Sequence, residues 1–110
     1  MATTFPNNQI IFHITHSSDW DEAQSLGSYR AASLETEGFI HCSTAEQLPL
    51  TQERFFKNKK GFLILHILIA RLKAPLRYEN LEGGEMLFPH LYGPLEIHAV
   101  SQATAFFRGG

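Results

Sequence analysis

Phe62-Leu63-Ile64-Leu65-His66-Ile67-Leu68-Ile69-Ala70 is the longest apolar run in a chain of 110 residues. What it becomes decides the fold. As a helix it would supply only about half of the roughly 20 residues that cross a bilayer, and His66 interrupts it. It is short enough for a strand, and Lys57-Asn58-Lys59-Lys60-Gly61 forms a polar turn before it. The run is therefore read as a buried central strand.

Working outward, Ile10-Ile11-Phe12-His13-Ile14-Thr15 is a second β-branched and aromatic run, the first strand of the chain. Ser17 or Ser18 can cap a helix starting at Asp19, and Gly27 is its stop signal, with Trp20, Ala23 and Leu26 on one face. The polar segment 28–37 reads as turns leading to Gly38 and a short strand, Phe39-Ile40-His41-Cys42. Thr44 can cap a second helix, Gln47 completes a capping box, and Pro49 belongs to the first turn or divides the helix. Downstream, residues 71–78 are a loop into another short strand, 81–85 an exposed glycine-containing loop, and 95–107 a last strand or bent strand pair. This order predicts an α+β single domain over residues 1–110, with two early helices packed on a mainly antiparallel sheet.

Composition narrows the function. Apolar residues are 44% and charged residues 18%, as in compact soluble proteins. A net charge of -2 provides no broad basic field, so nucleic acid is expected only as an acceptor of chemistry and not as an electrostatic partner. One cysteine forms no internal disulfide, and Met1-Ala2-Thr3-Thr4-Phe5-Pro6 carries no signal-peptide pattern; the expected compartment is the cytoplasm, with no membrane partner. Neither a Gly-x-Gly-x-x-Gly turn nor a Gly-x-x-x-x-Gly-Lys loop is present.

The six histidines carry the chemical interest. Strand alternation points His13 and Thr15 one way in the first strand, and His41 and Ser43 one way in the second, while Cys42 faces the core. If the strands adjoin, these pairs line a small cleft. His90 lies in a loop motif, Phe88-Pro89-His90-Leu91-Tyr92-Gly93, and could supply a third wall with Tyr92. Three imidazoles, His13, His41 and His90, would suit zinc, but compact ligand spacing is missing, and no metal is assigned. A Cys42 nucleophile would point away from His41, and a Ser43 nucleophile lacks the Gly-x-Ser-x-Gly elbow. Recognition of a sugar-bearing ligand uses the pairs most economically. Arg30 could hold a phosphate with Ser33 beside it; Arg54 and Arg77 are further cations, and Phe55, Phe56, Phe106 and Phe107 are read as core. A noncatalytic binding or interaction module and a metal-dependent hydrolase stand as alternative readings of the cleft.

Several motifs resemble the bacterial family known as domain of unknown function 952. They are Phe-His-Ile-Thr at 12–15, Tyr-Arg-Ala-Ala-Ser-Leu at 29–34, Glu-Gly-Phe-Ile-His-Cys-Ser-Thr at 37–44, Arg-Phe-Phe at 54–56 and Phe-Pro-His-Leu-Tyr-Gly-Pro-Leu at 88–95. That family in turn resembles the ADP-ribosyltransferase superfamily. His13-Ile14-Thr15 is similar to its first-strand His-Gly-Thr, and Gly38-Phe39-Ile40-His41 to its second-strand motif. The resemblance implies a split sheet, NAD or a related phosphorylated nucleotide as substrate, no separate cofactor, and a transferase or phosphotransferase activity. It places His13 on a ribose hydroxyl and His41 against nicotinamide; to these the smaller family's motif adds His90 to the catalytic set and Tyr92 to the ligand contacts, and the residue pattern adds Thr15, Arg30, Ser33 and Ser43 as ligand contacts. Ile14 departs from the glycine of the superfamily motif, and Glu96 is not assigned its glutamate role.

Overall fold

The structure is a computed structural model that describes residues 9–81 and 83–105. The apolar run forms β4 (Phe62–Leu68), the middle strand of a three-stranded antiparallel sheet between β1 (Ile10–His16) and β8 (Val100–Ala105). Alternation sorts its side chains. Leu65 and Ile67 have no exposed surface and anchor the core, while His66 points the other way, 3.0 Å from Thr104 Oγ1 and edge-on to Phe12. The histidine that interrupts the run thus sits on the less buried sheet face, where its polar atom has a partner.

A second three-stranded antiparallel sheet has the order β3 (Ile40–His41), β6 (Phe88–Leu91), β5 (Leu76–Glu79). A two-stranded pair joins β2 (Ser28–Tyr29) to β7 (Leu95–Glu96). The two larger sheets meet at one backbone bridge: Phe12 N–H donates to Ser43 O and Ser43 N–H to Phe12 O, both at 2.8 Å. Ile11, Ile40, Leu65, Ile67, Leu91 and Leu95 fill the core between the layers. The architecture is the expected α+β single domain on antiparallel sheets.

Helix content differs from the expectation. α1 (Ser17–Leu26) starts directly from His16 without a side-chain cap and ends at Gly27, whose φ of 92° is left-handed and whose N–H bonds to Ala23 O. Trp20 and Ala23 are buried, but Leu26 is 73% exposed. At 100° per residue Leu26 lies about 120° around the helix from Trp20, off the core face. The segment read as turns contains α2 (Ala32–Thr36), so there are three α-helices among the described residues instead of two. α3 (Leu48–Phe55) is the expected second helix, with Pro49 in its first turn.

The capping box forms just before α3. Thr44 N–H donates to Gln47 Oε1 at 3.0 Å and Gln47 N–H to Thr44 Oγ1 at 3.2 Å, over a turn that precedes the helix. Gln47 is buried and its Nε2 also donates to Leu87 O at 2.7 Å, pinning the chain just ahead of Phe88. Gln47→Ala removes the two side-chain bonds, from Thr44 N–H and to Leu87 O, while keeping the backbone N–H bond to Thr44 Oγ1; it is expected to destabilise the fold by about 2 kcal/mol, read as a lower urea midpoint at unchanged slope.

The run read as a last strand or bent pair divides into β7, a 3-10 turn (Ile97–Ala99) and β8; His98 falls in the turn, exposed, and not in a strand. Phe106 and Phe107 lie outside the described residues. Among the described residues no helix is long and apolar enough to cross a membrane.

Candidate functional site

A cleft of about 1280 Å³ opens where β1, the α2–β3 segment, α3 and residues 80–81 and 84–86 meet. His13, His41, His90, Ser33 and Ser43 all line it, whereas Thr15, Arg30 and Tyr92 do not.

His13 forms the floor. Its Nδ1–H donates to His41 O at 2.6 Å, because a carbonyl can only accept, and this leaves Nε2 of the neutral ring as an acceptor. Nε2 lies 2.9 Å from the Tyr29 hydroxyl, which is 2.9 Å from Thr15 Oγ1. Burial pushes the His13 pKa down from 6.5 to about 4, against the opposing effect of the His41 carbonyl bond, so the ring is uncharged at neutral pH. Burial likewise raises the Tyr29 hydroxyl to about 12. Both nitrogens of His13 are therefore engaged by protein, and Thr15 is buried behind it as the end of the chain of bonds. This corrects the expectation of Thr15 as a ligand contact. Tyr29 was missed because its hydroxyl meets His13 only through the β2–β7 pairing, which has no local sequence signal.

His41 and His90 stand opposite each other in the β3–β6 register. Their rings meet edge to face at 5.4 Å between centroids. His41 is exposed, with Nε2 3.1 Å from Glu37 Oε1. His90 is buried, stacked on Phe39 at 4.1 Å, with Nδ1 2.9 Å from Glu79 Oε1. Neither His41 Nδ1 nor His90 Nε2 has a hydrogen-bond partner among the described residues.

The serines are partly committed to the fold. Ser33 Oγ–H donates to Phe39 O at 2.7 Å, holding the entry to β3, and Ser43 Oγ lies 2.8 Å from Thr51 Oγ1, fastening α3 to the same segment. Arg30, in the connection between β2 and α2, is exposed away from the cleft and paired with Glu35 of α2 at 3.1 Å. Arg77 lies over the Tyr92 ring at 5.1 Å from its centroid. Tyr92 donates to Glu79 Oε1 at 2.7 Å from behind the cleft wall. The cation on the cleft wall is Arg54, which has no ion-pair or hydrogen-bond partner among the described residues. Next to it Phe55 is 58% exposed and lines the cleft, contrary to its reading as core. As the last residue of α3, it projects past the surface the helix packs on.

Burial raises the Cys42 thiol to about 12, so it stays protonated and is a poor nucleophile. Among the described residues no group of three or more His, Cys, Asp or Glu side chains is placed to hold a metal ion. The three imidazoles cannot act as a zinc set while both nitrogens of His13 are bonded to protein. Glu96 does not line the cleft. Instead it stands opposite Ser28 in the β2–β7 pair.

Comparison with known proteins places this geometry. The model of the family described as "Protein of unknown function (DUF952)" matches residues 14–103. The crystal structure of protein CC0527 from Caulobacter crescentus is similar at 31% identity and a TM-score of 0.78, covering 87% of this chain and 84% of that one. The solution NMR structure of the same protein gives 31% identity and a TM-score of 0.76 over 87% and 83%. No curated protein matches the chain.

Proposed function

The chain belongs to the DUF952 family, and from that premise we propose that its cleft binds NAD or a related phosphorylated nucleotide and acts on it as an ADP-ribosyltransferase-like or phosphotransferase-like enzyme. The observation that carries the reading is that His41 Nδ1 and His90 Nε2, both without protein partners among the described residues, share one cleft with the unpaired Arg54 guanidinium. Guanidinium suits a phosphate, open imidazole nitrogens suit sugar hydroxyls, and exposed Phe55 offers a face for a planar base. The ribose contact that the family resemblance gives to His13 passes to His41 and His90, because Tyr29 and the His41 carbonyl already occupy His13. In glycosyl transfer the bond between the anomeric carbon and nicotinamide breaks, its electron pair leaving with the neutral base. The cleft holds the ribose while positive charge develops.

Titration of ¹⁵N-histidine-labelled protein with NAD and with ADP-ribose is expected to shift His41 and His90 at millimolar ligand. Arg54→Gln should weaken the affinity about tenfold, the size of one charge-assisted contact. No movement of either ring would sink the nucleotide reading. The closed bonding of His13 favours a second reading, a noncatalytic module in which the fold persists without turnover. It predicts the same shifts with no nicotinamide released.

A further inference from the structure

Glu79, the last residue of β5, has no role in the reading above. In the β5–β6 register Arg77 stands opposite His90, so Glu79 is its diagonal neighbour on the same sheet face. Its Oε1 accepts from His90 Nδ1–H at 2.9 Å and from the Tyr92 hydroxyl at 2.7 Å. The Tyr92 bond, then the His90 bond, lowers the Glu79 pKa and keeps it a carboxylate. A carboxylate only accepts, so Nδ1 must carry the ring proton, and Nε2 of the neutral ring keeps its lone pair. Nε2 is not sealed in. The one buried side-chain polar atom left without a partner among the described residues is Glu96 Oε1. Phe39, stacked at 4.1 Å with 19° between planes, fixes the ring face.

His41 is built differently. Its carboxylate contact runs through the opposite nitrogen, and both partners are about half exposed, at 47% and 49% of their side chains, against 6% and 23% for His90 and Glu79. Exposed pairs orient weakly. Of the two imidazoles, His90 has the better-held ring.

We propose that Glu79 is a positioning residue that holds His90 with Nε2 open to the cleft, making His90 the general base for a hydroxyl-bearing acceptor. This rests on the transfer reading above. The acceptor O–H proton passes to His90 Nε2 as its oxygen bonds to the anomeric carbon. The bond to nicotinamide breaks with both electrons on the departing ring nitrogen, and His90 later returns the proton to water. Glu79 stabilises the imidazolium in between.

Two measurements on the full chain test this. In ¹⁵N spectra, wild-type His90 is expected as the Nδ1–H tautomer, and Glu79→Ala should shift it toward Nε2–H. Tyr92→Phe, which keeps the ring and removes one donor, should raise the Glu79 titration midpoint and leave the tautomer in place. In nicotinamide release from NAD with methanol as acceptor, Glu79→Ala should lower kcat on the order of a hundredfold with KM little changed. An unchanged tautomer in Glu79→Ala, an unmoved Glu79 midpoint in Tyr92→Phe, or a raised KM at constant kcat overturns the proposal. A shifted tautomer in a wild-type protein that releases no nicotinamide removes the NAD reading and the base role with it, while the orienting contact itself stands.

Discussion

Replacement of His13 by alanine is expected to lower stability at neutral pH by about 3 kcal/mol, roughly 15 °C in Tm for a chain of this size. The loss has identifiable parts. The His41 carbonyl gives up its 2.6 Å donor, Tyr29 loses one of two hydroxyl partners, and a cavity opens under the cleft beside a side chain only 9% exposed. pH separates this account from simple loss of packing. His13 has its folded pKa lowered to about 4 from 6.5, so between those values the unfolded chain binds the extra proton. The stabilisation is complete above pH 6.5 and is lost as pH falls toward 4, by roughly 3 kcal/mol. Chemical denaturation of wild type and variant across that window should therefore show the gap between them closing on acidification. A gap constant from pH 7 to pH 4 would refute the neutral, doubly bonded imidazole.

The second large effect concerns Gly93. Its φ is 156°, and a Cβ there would come within 2.6 Å of Ala74 Cβ, closer than packed carbons approach. Gly93→Ala is expected to cost about 3 kcal/mol, the size of a forced overlap combined with backbone strain. The displacement falls on Tyr92, whose N–H bonds to Pro75 O at 2.8 Å beside the point of collision. Amide exchange at Tyr92 should accelerate along with the loss of stability. Ala74→Gly in the same chain removes the carbon that is struck, and the double variant should recover more than half of the loss by urea titration. If the double variant is as unstable as Gly93→Ala alone, the collision is not the cause.

Legibility followed locality. β1 and β4 were plain as β-branched runs of strand length, Gly27 marked the end of α1, and Thr44 with Gln47 announced its reciprocal bonds, because each signal lies within a few residues of its consequence. α2 was not legible: it spans five residues, has no side-chain cap, and is held by Leu34 against the core. β2 and β7 are two residues each, too short for alternation to register. At the cleft, His13, His41 and His90 could be named from strand alternation and motif. Glu79 could not, since only the β5–β6 register brings it beside His90. Arg30 and Phe55 were misplaced for a related reason. Local sequence shows which side chains can serve a site but not whether a neighbour such as Glu35 takes them first.

The bridge between Phe12 and Ser43 also has a mechanical meaning. Each three-stranded sheet is a stiff plate, braced by its own ladder. Among the described residues, backbone hydrogen bonding between the plates is confined to two bonds at that corner, with the His13–His41 contact beside it. Twisting one plate against the other about this corner would disturb far fewer hydrogen bonds than shearing strands within either, leaving the shared apolar core as the main restraint on that motion. β1 contributes Phe12, His13 and Ile14 to one side of the cleft, and the other plate contributes His41 and His90. The width of the cleft is therefore set jointly by that corner and by the apolar core the two plates share.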